Sequence, residues 1–162
     1  MASVNSASAR GTWALGLSNR LNLNTLPRHA DQILIAAATY QALFTIGSPM
    51  LSKQLIPSTY KHFTARTRAN WDSRVVGFAQ AVFICAKALN VIFKDPSRHD
   101  STVQSRLWGY SSATGAVQAY AAGYFLWDIY VSARYWRLFG PTAFAHAVSA
   151  FTITMLGFVS HP

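Results

Sequence analysis

Asp128, Lys87 and His146 are ionisable side chains set inside apolar runs of this chain. Asp128 interrupts "GYFLWDIYV", one of only five acidic positions in 162 residues. A charge inside a bilayer costs roughly 2.5–3.5 kcal/mol on insertion scales, and it usually faces a bundle interior or a cavity. Tyr124 precedes Asp128 by one helical turn, where a phenol can hydrogen-bond a carboxylate. The plainer reading is an interfacial carboxylate reaching water beside Arg134. Gln80, Lys87 and Asn90 are spaced by seven and three, so they share one helical face that should point at protein. Lys87 either snorkels to an interface or pairs with Asp128 in the bundle. His146, with Ser149 and Thr152 following it, is a hydrogen-bonding residue or a general base; the latter needs a substrate proton in reach and a pKa near working pH. Gln80, Lys87, Asn90, Tyr124, Asp128 and His146 are therefore the candidate pocket-lining residues, with His146 and Asp128 the candidate catalytic pair. Histidines are scattered at 29, 62, 99, 146 and 161. Metal-ligand spacing, a phosphate loop, a dinucleotide fingerprint and a nucleophile elbow are all missing, so neither metal nor cofactor is expected.

The elements that hold these residues follow from composition. Hydrophobic residues make up 51% of the chain and charged ones 12%, where a soluble domain has about a quarter charged. The net charge of +9 is bunched beside apolar runs: Lys53, Lys61, Arg66, Arg68 and Arg74, then Lys94, Arg98 and Arg106. That is juxtamembrane charge facing anionic headgroups, and no nucleic-acid partner is expected. The single cysteine, Cys85, reads as a small buried hydrophobe. Four windows reach the roughly 20 residues needed to span a bilayer: 32–51, 75–93, 112–132 and 141–160. The expected fold is all-α and polytopic, with about four transmembrane helices. Residues 1–30 form a polar tail expected to be disordered, 31–69 the first helix and a basic loop, and 70–162 the remaining three helices. Pro49 and Pro57 should kink or end the first helix, "KDPSRHD" at 94–100 is a polar break, and "FGP" at 139–141 separates the last two helices. Trp71, Trp108, Tyr110, Tyr135 and Trp136 fall near span ends, where amphipathic aromatics favour the interface. Gly115, Ala119 and Gly123 repeat every four residues, a stripe that admits close helix packing. Basic residues divide seven against six between the two sides, and the dense first loop favours the cytosol.

Three stretches in register, "NWDSRVVGFAQA" at 70–81, "GYSSATGAVQAYAAGYFLWDIYV" at 109–131 and "FGPTAFAHAVSAF" at 139–151, resemble the TLC-domain family. That family groups translocon-associated membrane proteins, ceramide synthases and small lipid-handling proteins; the likeness is to the small TLC-domain-containing transmembrane proteins above all. The resemblance implies that 70–162 is part of a TLC-type helix bundle in the endoplasmic reticulum or connected membranes. It implies a role in lipid homeostasis through lipid binding, transport, sensing or membrane composition. The expected partners are membrane lipids, with a homo-oligomer or other membrane proteins alongside. Gln80 stands where the family carries a histidine after its Trp-x-x-Arg motif, and His146-Ala147 stands where ceramide synthases carry paired histidines. Both departures lean away from an enzyme. A ceramide-synthase-like acyltransferase, with His146 as base and Asp128 supporting it, is one alternative. A structural or translocon-associated helper acting through the Gly115, Ala119 and Gly123 stripe is the other. TLC domains usually continue past the fourth span, so the chain reads as the front portion of one, with an inner face that calls for oligomerisation.

Overall fold

The computed structural model describes residues 15, 16, 18, 20–96 and 111–159. The tail to residue 14, the break beyond Pro96 with Trp108 and Tyr110, and the last three residues lie outside them.

Helix α1, Leu26–Ala42, opens on Thr25 with Pro27 in its first turn, where a missing N–H costs nothing. The helix then widens into a π-helical turn at Leu43–Gly47 before α2, Ser48–Leu55. Pro49 accounts for this. It has no N–H for the Thr45 carbonyl and its ring crowds that oxygen, so the preceding turn opens rather than breaks. Pro57 does end the helix: Ile56 leaves helical geometry at φ −135°, ψ 52°, because the proline ring disfavours the α region for the residue before it. A single turn, α3 (Pro57–Tyr60), follows. Helix α4, Ala65–Lys94, is capped by Thr64, whose side chain accepts from the Thr67 N–H at 3.2 Å. Helix α5, Ser112–Arg134, is capped likewise by Ser111 at 3.1 Å, each cap satisfying an orphan donor. Helix α6, Trp136–Leu156, is broken at Gly140 (φ 75°, ψ 179°), a conformation open in practice to glycine alone, and Pro141 restarts it.

Every regular element among the described residues is helical. Three helical runs are long and apolar enough to cross a membrane: Leu26–Leu55, Ala65–Lys94 and Trp136–Leu156. Helix α5, the third of the four expected spans, has 23 residues and is long enough at about 35 Å. Protein wraps much of its surface. Its Gly115, Ala119, Ala122, Gly123, Trp127, Val131 and Ser132 are buried, and α1 and α6 make the most extensive contacts in the bundle against it. Large apolar residues point outward instead, Ile35 at 65%, Phe78 at 73% and Ile153 at 69% exposure, as lipid-facing surfaces do. Cys85, expected to be buried, is also exposed. Thr39, Thr45, Thr152 and Thr154 donate their hydroxyls to carbonyls four residues back in their own helices. That satisfies polar hydrogens where lipid offers no acceptor.

Helix α1 runs parallel to α5, while α4 and α6 run against it. At one end Phe158 O accepts from both the Thr25 N–H (3.3 Å) and Thr25 Oγ1 (2.8 Å). Leu23, Leu26 and Phe158 close an apolar cluster there. Order therefore begins before residue 31: α1 starts at Leu26, with His29 buried beside Gly115. At the other end, Phe44 and Trp127 pack within a second cluster, and Phe44 also meets Tyr135 edge to face. The loop after α2 and the junction of α5 with α6 share this end. It gathers Lys53, Lys61, Arg66, Arg68, Arg74, Arg134 and Arg137.

Candidate functional site

A cleft of about 270 Å³ lies between α4, α5 and the start of α6. Helix α4 lines it with Asn70, Ser73, Arg74 and Gly77, and α5 with Tyr124, Trp127, Asp128, Val131 and Ser132. Both sets follow steps of three and four, so each is one face of its helix. Phe139 and Ala143 complete the wall from either side of the Gly140 break. Gly77 lets Tyr124 sit close: a Cβ there would be 3.3 Å from the phenol oxygen. Arg74 Nε donates to Asn70 Oδ1 at 3.3 Å, which steadies the guanidinium on its wall. Asp128 is on the facing wall. Ser132 and His146 are both near enough to act on its charge. A cation and a carboxylate thus face one small space whose remaining walls include the apolar side chains of Trp127, Val131, Phe139 and Ala143.

The expected residues divide. Tyr124 and Asp128 line the cleft, and His146, itself exposed, is the neighbour of Asp128. Gln80 is buried but outside the cleft; Tyr40 of α1 donates its hydroxyl to Gln80 Oε1. Lys87 and Asn90 lie further along α4 and are exposed. The Lys87 ammonium stands over the Phe83 and Tyr120 rings, at 5.6 and 5.9 Å from their centroids, so aromatic faces and not Asp128 meet it. Arg134 is likewise turned onto Tyr135, at 5.6 Å. The shared face of Gln80, Lys87 and Asn90 is real as periodicity, but helix α5 crosses only part of it. Gly115, Ala119 and Gly123 are all buried. A Cβ on Gly123 would lie 2.6 Å from the Ile33 carbonyl of α1, so a segment of the same chain already covers this stripe at Gly123. A helper role would need another surface.

Asp72 is not among the expected pocket residues, and Arg74 is read from the sequence only as juxtamembrane charge and part of the Trp-x-x-Arg motif. Asp72 is 4% exposed; its Oδ1 accepts from Ser48 Oγ at 2.6 Å, and its Oδ2 from the Tyr60 hydroxyl at 3.0 Å. Trp71 Nε1 donates to Ser52 Oγ at 2.9 Å. Adjacent residues of the "WDSR" run thus serve two ends: Trp71 and Asp72 tie α4 to α2 and α3, while Ser73 and Arg74 face the cleft. The available signal was Ser48 and Ser52, one turn apart and facing the same way in α2.

Burial, then the hydrogen bond and charge of Asp72, push the Tyr60 phenol up to about 12, against a smaller opposing effect of Arg68. A raised phenol pKa favours the protonated form in the folded state. Its stabilisation is complete below the unfolded value near 10 and is lost as pH climbs through about 12. Thermal unfolding followed from pH 8 to 12 in detergent is expected to show a fall above pH 10 that is shallower in Tyr60→Phe; identical profiles would remove Tyr60 as the cause.

Residues 70–162 match the TLC domain. An uncharacterized TLC domain-containing protein of Schizosaccharomyces pombe is 36% identical over 143 residues, covering 84% of this chain and 45% of its own. Topoisomerase I damage affected protein 4 of Saccharomyces cerevisiae is 24% identical over 137 residues, covering 82% of this chain and 46% of its own. TLC domain-containing protein 4 of Homo sapiens is 26% identical over 110 residues, or 68% and 40%. The chain spans less than half the length of these relatives. No solved structure gives a significant match.

Proposed function

Because this chain belongs to the TLC-domain family, we propose that it is a lipid-handling membrane protein whose cleft receives a phospholipid headgroup. The observation that supports this reading is the pairing of Arg74 and Asp128 on opposite walls of one cleft. A guanidinium binds phosphate by charge-assisted hydrogen bonds, and a carboxylate complements an amine. A zwitterionic headgroup carries both groups, and the aromatic and aliphatic walls suit the start of its acyl chains. The reading makes this a protein of lipid homeostasis in the endoplasmic reticulum or connected membranes, with membrane lipids as its partners.

The test is photocrosslinking of the full chain in membranes with a clickable phosphatidylethanolamine. Charge-assisted hydrogen bonds are worth about 1.5–3 kcal/mol each, so Arg74→Gln with Asp128→Asn should cut labelling by about tenfold or more while the melting temperature holds. Equal labelling of variant and wild type would sink the headgroup reading.

The acyltransferase alternative draws on one observation, the proximity of His146 to Asp128, which could orient and charge an imidazole base. Acylation of a sphingoid base by purified protein, lost in His146→Ala, would be its signature.

A further inference from the structure

A second cavity, of about 540 Å³, lies one turn nearer the basic end of the bundle than the cleft. Arg66 lines it from the first turn of α4, and Arg134 and Arg137 line it from the junction of α5 and α6. All three arginines are exposed, and no carboxylate is among the residues that line the cavity. Ala65, the first residue of α4, lines it too, so the positive end of a 30-residue helix adds to the same field. Tyr135 and Trp136 supply amphipathic rings, the side chains that settle at headgroup depth. Arg134 is set over the Tyr135 ring, which leaves its outer N–H edge for an acceptor.

Arg134 and Arg137 lie six and three residues before the break at Gly140, and 68 and 71 positions after Arg66; these groups meet only because the first loop and the α5–α6 junction share an end of the bundle. Three forked cations with no anion among them make a field that calls for one from outside. The place of the cavity, at the ends of membrane-crossing helices and beside Trp136, says that the anion arrives in the plane of the membrane. We propose that this cavity is a binding site for the phosphate of an anionic membrane lipid, separate from the cleft between Arg74 and Asp128. Arginine suits it because its planar fork matches phosphate oxygens two at a time. The site rests on its own residues and stands whether or not the cleft takes a headgroup.

Native mass spectrometry of the full chain in a neutral detergent tests this with phosphatidic acid and phosphatidylcholine as probes. Wild type should retain phosphatidic acid in preference to phosphatidylcholine. Arg66→Gln with Arg137→Gln should lower phosphatidic acid affinity by about tenfold or more, given charge-assisted contacts of this kind. The charge-matched variant Lys53→Gln with Lys61→Gln, at the same end but outside the cavity, should change it by less than about twofold. An equal loss in both variants would mean diffuse charge and no site, and no loss in either would overturn the proposal. Glycerol 3-phosphate that competes as well as phosphatidic acid binds would overturn the assignment to a lipid. All four residues are exposed, so unchanged melting of both variants is expected and keeps the comparison clean.

Discussion

Asp72→Ala is expected to lower the stability of the purified chain by about 2–5 kcal/mol, the largest effect of any polar substitution in the bundle. The carboxylate is buried and takes both the Ser48 hydroxyl and the Tyr60 hydroxyl. Alanine leaves two donors without an acceptor, and each buried orphan costs about 1–3 kcal/mol. Ser48 is wholly buried and Tyr60 is 1% exposed, so water cannot readily take over. Asp72→Asn keeps the shape and one accepting oxygen, and it should fall about halfway. Thermal unfolding in detergent measures both, and a double-mutant cycle with Ser48→Ala isolates the pair. An Asp72→Ala protein within about 0.5 kcal/mol of wild type would mean that the three segments are held by something else.

Gly123→Val is the second large loss. A Cβ at Gly123 would stand 2.5 Å from Ala36 Cβ, 2.6 Å from Ile33 O and 3.1 Å from Ala37 N. Two of those neighbours are backbone atoms of α1, and no rotamer change moves them. The helices must part, and overpacking of this kind costs about 1–3 kcal/mol and occasionally more. The loss spreads, because the bond from Trp127 Nε1 to Gln41 Oε1 (3.1 Å) spans the same two helices, and Tyr40 of α1, one residue from Gln41, bonds Gln80 of α4. Gly77→Ala is the comparison: its nearest foreign atom is the Tyr124 hydroxyl at 3.3 Å, on a side chain with room to give. The expected order of melting temperatures is wild type, then Gly77→Ala close below, then Gly123→Val well below. A reversed order would show that α1 and α5 do not cross at this glycine.

Much of the architecture was legible in the sequence for a simple reason. The length of an apolar run and the position of prolines act locally. Pro57 ended the first helix, as backbone sterics require, whereas α5 had already ended at Arg134 and Gly140-Pro141 broke α6 internally. Pro49 did not end a helix but widened one, because the apolar residues around it keep the helix worth completing. The small-residue stripe on α5 was visible as spacing, and Gly115, Ala119 and Gly123 are buried in the bundle. Gln80 is buried against Tyr40 of α1. Lys87 and Asn90 share its face of α4 only by periodicity.

What the sequence by itself determined is which residues share a face of each helix and which apolar run each helix carries; α4 begins at Ala65, ten residues before the expected window, and α6 at Trp136, five before it. Only the tertiary structure decided which faces meet, how deeply, and at what rotation. Asp128 illustrates this. Periodicity made Lys87 and Arg134 its natural cations, yet both lie against aromatic rings, and Asp128 opens onto the cleft shared with Arg74. Asp72, two residues from Arg74, is turned to the opposite duty of tying α4 to α2 and α3. A helix of known register can still be rotated and slid against its neighbours. That freedom is removed by contacts between residues far apart in the chain, Ala36 on Gly123, Gln41 on Trp127 and Thr25 on Phe158, which no local pattern encodes.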